Sequence, residues 1–181
     1  MPLFLIPVCL SLVAPSQAPA APPAVARAAA VFQELSGLVG TWEGTFAKGR
    51  RHTVTYRLTA GGTVLVETWA LAPGRESMTL YHLDGEALVA THYCPQGNQP
   101  RLQWVMDGHP TRRSFTFRDG TNLQVKGASH QHAFWVERQG PDTYQRSETY
   151  VANGRTAAEA AAEKPEAPVV YRRVEGGPAK L

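Results

Sequence analysis

Apolar and polar residues alternate along His52–Leu58. Val54, Tyr56 and Leu58 fall on one side and Thr53, Thr55 and Arg57 on the other, the period of a half-buried β-strand. The same period of two marks Thr41–Phe46, Thr63–Leu71, Met78–Leu83, Ala87–Cys94, Arg101–Met106, Ser114–Phe117, Gln131–Arg138, Tyr144–Val151 and Val169–Val174, and more faintly Leu123–Lys126. Strands this short and this closely spaced, joined by Gly, Asp and Asn turns, predict an antiparallel sandwich or barrel of about ten strands. The period differs only at two places. Over Val25–Leu38 the apolar residues Val31, Phe32, Leu35 and Leu38 follow an alanine run. This predicts a short N-terminal helix ending at Gly37 or Gly40, where a glycine suits a left-handed cap. Thr156–Lys164 (TAAEAAAEK) reads as a second short helix or an insert, closed by Pro165.

The clearest hairpin signal is Asp84-Gly85, the preferred type I′ pair. A two-residue loop there sets Leu83 opposite Glu86, Tyr81 opposite Leu88 and Thr79 opposite Ala90. One face then carries Tyr81, Leu83, Leu88, Ala90, His92 and Cys94, the other Met78, Leu80, His82, Val89, Thr91 and Tyr93. The first face is the expected interior, because Leu88, Ala90 and Cys94 are of commonly buried types. It takes Tyr81 and His92 inward with it.

A chain of 181 residues, 43% hydrophobic, is enough for one domain with a sizeable core. Its start has a different character. Leu3–Ala14 is an apolar run too short to span a bilayer, and Ala18-Pro19-Ala20 has the A-x-A form of a cleavage site. The expected organisation is a signal peptide over 1–20, a Pro/Ala linker over 21–26 and the barrel over 27–181. The location that follows is secreted, periplasmic. The departure from the usual leader is that no Lys or Arg precedes the apolar run. Cleavage would remove Cys9 and leave Cys94 alone, so no internal disulfide is expected, and Cys94 is read as a small buried hydrophobe. Net charge is +3 without a concentrated basic stripe; Arg112-Arg113 and Arg172-Arg173 are isolated pairs. That balance argues against a nucleic-acid partner, and no membrane span is expected in the mature chain.

A short helix followed by Gly40-Thr41-Trp42, opening the first of about ten meander strands, resembles the calycin (lipocalin-like) superfamily, whose G-x-W motif begins the barrel. The resemblance implies that Trp42 packs at the closed end against an arginine of the last strand, Arg172 or Arg173. The chain also resembles uncharacterised secreted bacterial proteins of lipocalin-like fold, through Tyr81-His82-Leu83-Asp84-Gly85, Thr91-His92-Tyr93-Cys94, Gly97-Asn98-Gln99-Pro100-Arg101 and the later His130-Gln131-His132. That likeness covers roughly Phe32–Gly154 and implies a fold and a ligand-binding role. Gly40-Thr41-Trp42-Glu43-Gly44 is similar as well to the G-x-W-x-G-x-G opening of nitrobindin-like haem barrels, with Phe46 where the third glycine would stand. Those proteins hold haem through one late-strand histidine, for which His130 or His132 would serve.

Candidate chemistry is thin. His130 and His132 share a strand face, and with His92 they would make a three-His site of zinc type. The alternative is a pair of exposed histidines with no role. No nucleophile elbow, H-E-x-x-H, phosphate loop or C-x-x-C is present, so no catalytic residue is assigned and a binding protein is expected ahead of an enzyme. A reaction within the barrel, using Tyr81, His92 and Glu67, stays open. The expected ligand is a small hydrophobic or amphipathic molecule in an aromatic-lined interior, contacted by Tyr81, His92, Trp104, His130 and His132. No cofactor is assigned; haem or zinc remains an alternative. His52 and His82 are expected to be surface or hydrogen-bonded strand residues, and His109 a loop residue.

Overall fold

Ten strands pair antiparallel in chain order, and the last returns to the first to close a barrel. They are β1 (Gly40–Thr45), β2 (Arg51–Thr59), β3 (Val64–Ala72), β4 (Arg75–Asp84), β5 (Ala87–Tyr93), β6 (Gln99–Val105), β7 (Arg112–Thr121), β8 (Ser129–Arg138), β9 (Thr143–Ala152) and β10 (Val169–Arg173). Closure removes the free edges that a sheet of this width would expose. This is a computed structural model, and it describes residues 23–46 and 49–174; the expected leader, with Cys9, lies outside them.

The closing seam explains the G-x-W-x-G motif physically. Trp42 pairs with Arg173 and Gly44 with Tyr171 across β1 and β10. The Trp42 ring is fully buried, and the Arg173 guanidinium lies 4.1 Å from its centroid. The indole N–H donates to the Leu38 carbonyl at 2.7 Å. Arg173 also donates to the Val39 carbonyl at 2.8 Å, which ties the last strand to the turn before the first. A Cβ on Gly40 would meet the Arg173 guanidinium at 2.6 Å, and one on Gly44 would meet the Tyr171 ring at 2.5 Å. The glycines are therefore clearance for two large side chains on β10. Arg172 is exposed; of the two candidate arginines, Arg173 makes the stack.

Helix α1 (Ala24–Ser36) buries Ala28, Val31, Phe32 and Leu35 in one core with Trp42, Val54, Leu65, Leu88 and Leu102. Its start lies inside the stretch read as linker. It covers the end of the barrel where β1 begins, held there by Glu34 to Arg113 at 2.7 Å. Gly37 does follow the helix, but at φ −65° it continues the right-handed turn. The expected left-handed cap is absent there; the positive φ falls at Gly40. The second helix, α2 (Ala157–Ala162), starts with a reciprocal Thr156–Glu159 capping box.

Two expectations need correction. Leu123–Lys126 is turn and loop, not strand. The β4–β5 loop is Gly85-Glu86, one residue later than expected, because Asp84 pairs with Ala87, Leu83 with Leu88 and Tyr81 with Ala90. Gly85 has φ +60° and Glu86 has no positive φ, the type II′ pattern with glycine first. A type I′ turn would have required positive φ at Asp84 as well.

Removing the Trp42 ring leaves a large void at the seam. Trp42→Ala is expected to cost about 3–5 kcal/mol, read as the shift in urea unfolding. Gly44→Ala is expected to cost about 1–3 kcal/mol by overpacking against Tyr171, with far-ultraviolet dichroism unchanged.

Candidate functional site

The polar residues of the interior come from the same alternation that builds the wall. Along β3 the inward parity is Leu65, Glu67, Trp69; along β9 it is Tyr144, Arg146, Glu148, Tyr150; and β4 contributes Tyr81. Glu67 and Arg146 are almost wholly sealed from solvent and pair at 3.0 Å. The Glu67 carboxylate also accepts from the Trp69 indole N–H and the Tyr81 hydroxyl. Arg146 donates from Nε to Glu148 at 2.7 Å, and its guanidinium lies 4.2 Å from the Phe134 ring centroid. Burial alone would lower its pKa, but Glu67, Tyr81 and Glu148 more than offset this, and Arg146 stays charged. Burial first, then the Glu67 charge, pushes the Tyr56, Tyr81 and Tyr144 phenols well above their ordinary range. They remain neutral; Tyr56 donates to Tyr144 at 3.3 Å.

Above this network, at the end away from α1, a cavity of about 200 Å³ opens. Phe46, Trp69 and Leu71 form its apolar walls, and His52, Ser77, His92, Cys94, Glu148 and Tyr150 bring polar groups. Arg50, Arg75 and Glu166 stand at the mouth. His92 is 4% exposed, with Nδ1 3.0 Å from the Thr79 hydroxyl, its cross-strand neighbour. Burial pulls its pKa from 6.5 to about 4, so the ring is neutral at pH 7. His52 is 5% exposed and lies against Phe46 with ring centroids 4.1 Å apart. Burial, then Arg50, lowers its pKa too. Both of its ring nitrogens are buried without a hydrogen-bond partner.

The other expected ligand residues are dispersed. Tyr81 is committed to Glu67 and Arg146 and does not line the cavity. Trp104 borders a separate groove between α1 and the β6–β7 connection. His130 and His132 meet each other, Nε2 to Nδ1 at 3.3 Å, and flank Phe117. His130 Nδ1 is 3.0 Å from the Asn153 side-chain oxygen. Neither lines the cavity that holds His92. Among the described residues, no three His, Cys, Asp or Glu side chains converge on a metal-sized site. Cys94 is half-buried on the cavity wall.

The sequence reading passed over Arg146 and misplaced His52, expected at the surface or hydrogen-bonded but buried here with neither ring nitrogen bonded. The parity signal was there: His52 is in step with Val54 and Tyr56, and Arg146 with Tyr144. A polar residue in the inward register of a strand is the pattern that finds both.

No family model and no curated protein matches the chain. Its fold is similar to the crystal structure of Rv2717c from M. tuberculosis, with a TM-score of 0.52 and 18% identity over 80% of this chain and 97% of the other. At that identity the likeness concerns the fold alone. No helix among the described residues is long and apolar enough to cross a membrane.

Two measurements test this site. Because the folded pKa of His92 is depressed, the unfolded chain takes up the proton first. The contribution is complete above pH 6.5 and is lost as the pH falls to about 4. It amounts to at most about 3 kcal/mol. His92→Gln is expected to remove that part of the slope of unfolding free energy against pH. Glu67→Ala is expected to cost about 3–5 kcal/mol by stranding the Arg146 charge. The double change Glu67→Leu with Arg146→Met should lie nearer the wild type in the same titration.

Proposed function

We propose that this chain is an exported small-molecule-binding barrel whose ligand, small and hydrophobic or amphipathic, occupies the cavity at the open end. Phe46, Trp69 and Leu71 take its apolar part, and His52 and His92 its polar end. The observation that carries this reading is His52. A buried polar group without a partner costs about 1–3 kcal/mol, and this one faces a cavity rather than a packed core. A ligand group that bonds to the imidazole would offset that cost. The cavity, about 200 Å³, is below the usual range for drug-sized ligands, about 300–1,000 Å³, which favours a small molecule.

Support for a lipocalin-like relationship comes from the closed antiparallel barrel, the capping helix, and the G-x-W tryptophan stacked by an arginine of the last strand. The apolar run and A-x-A site at the start of the sequence support secretion to the periplasm. A haem or zinc site at His130 and His132 with His92 has less support, because the first two meet each other and Asn153 while His92 lines the cavity without them. A reaction using Tyr81, His92 and Glu67 likewise has less, since Tyr81 and Glu67 are bonded together beneath the cavity.

His52→Leu separates binding from stability. It is expected to leave the unliganded protein as stable as the wild type or up to about 1 kcal/mol more so. Affinity for small amphiphiles found by ligand-observed NMR should fall about ten-fold. Ser77→Phe, which fills the cavity, should abolish binding. Binders that Ser77→Phe leaves untouched would place the site elsewhere and end this reading.

A further inference from the structure

We infer that the polar end of the ligand is an anion, a carboxylate carried on a small apolar body. This rests on the binding reading above and deepens it. Three carboxylates (Glu67, Glu148, Glu166) and three guanidinium groups (Arg50, Arg75, Arg146) stand at or under the cavity, so formal charge does not decide the sign of the ligand. Hydrogen bonding does. Glu67 accepts from Trp69 and Tyr81 and pairs with Arg146. Glu148 takes the Arg146 Nε–H at 2.7 Å. The donors are not matched in the same way. Arg146 is nine-tenths buried and more, yet its Nη2 has no partner. The side chains of Arg50 and Arg75 form no ion pair or hydrogen bond among the described residues. Arg50 has only a loose approach to the Phe46 ring, 5.8 Å to the centroid.

The positions of these donors form a path. A void of about 10 Å³, bordered by Arg146, lies beside the cavity and shares Phe46, Trp69, Glu148 and Glu166 with it. That is room for about one water. A water there would carry the Nη2 donor to an acceptor in the cavity. His52 offers one N–H on the way, and Arg50 and Arg75 close on the same acceptor from the mouth. Guanidinium groups favour carboxylate over a neutral acceptor, because the charged bonds are about twice as strong. Glu166 opposes this arrangement. Its backbone N–H donates to Glu148 and its carbonyl accepts from Ser147, while no hydrogen bond holds its side chain among the described residues, so its charge can be removed without disturbing the fold.

The test is calorimetric titration of the protein with phenylacetate, phenylacetamide, 2-phenylethylammonium and acetate. Phenylacetate is expected to bind about ten-fold tighter than the amide, with the ammonium and acetate weakest. The exposed pair change Arg50→Gln with Arg75→Gln should erase the preference for phenylacetate over the amide. Glu166→Gln should strengthen phenylacetate binding several-fold, the opposite of its effect on a cationic ligand. An amide that binds as tightly as the carboxylate, an ammonium that binds tightest, or weakening by Glu166→Gln overturns the anion and leaves the binding reading standing. Acetate as tight as phenylacetate overturns the apolar body. No binding of any of the four overturns both.

Discussion

The guanidinium of Arg146 sits inside the barrel, and much of the interior is arranged around keeping it charged there. An isolated charge in such a setting costs several kcal/mol. Here Glu67 and Glu148 neutralise it, while Phe134 and Trp69 present ring faces at 4.2 and 5.2 Å. Tyr81 and Trp69 then satisfy the Glu67 oxygens left over. Side chains from four strands are committed to that one group, so the centre of the barrel is filled rather than hollow. The cavity is what remains above it.

The seam between β1 and β10 bears a comparable constraint by a different means. It needs large side chains on one strand where glycines stand on the other. Arg173 and Tyr171 occupy the volume that Gly40 and Gly44 vacate, and Trp42 fills the gap between them. Phe46, the next residue of the same parity, breaks the glycine series. Its ring lies on His52 and forms a wall of the cavity. A single run of four alternating positions thus goes from barrel closure at one end to cavity wall at the other.

The hairpin shows why an error in a turn need not spoil a face. Moving the loop from Asp84-Gly85 to Gly85-Glu86 slides the two strands by two residues in register, not one. Because side chains alternate with period two, Tyr81, Leu88, Ala90 and His92 stay inward under either pairing. What changes is the partner: Thr79, not Ser77, comes opposite His92 and bonds to it. The inward face was legible from residue types; the hydrogen-bond partner depended on the turn.

About ten strands in antiparallel order, the N-terminal helix and, from residue types, the inward face of the β4–β5 hairpin could be read from the sequence alone, since each depends on local periodicity, turn residues and side-chain character. So could the pairing of the tryptophan at the start of β1 with an arginine of the last strand, through a resemblance carried by the G-x-W motif. Which inward polar residues meet was decided by the tertiary structure. Glu67, Arg146 and Tyr81 come from three strands up to 79 residues apart, and their contact depends on barrel curvature and on how each strand is staggered against its neighbours. For the same reason His130 and His132, paired by spacing, were expected to join His92, while His52, given no role by its neighbours in sequence, is the histidine that shares its cavity.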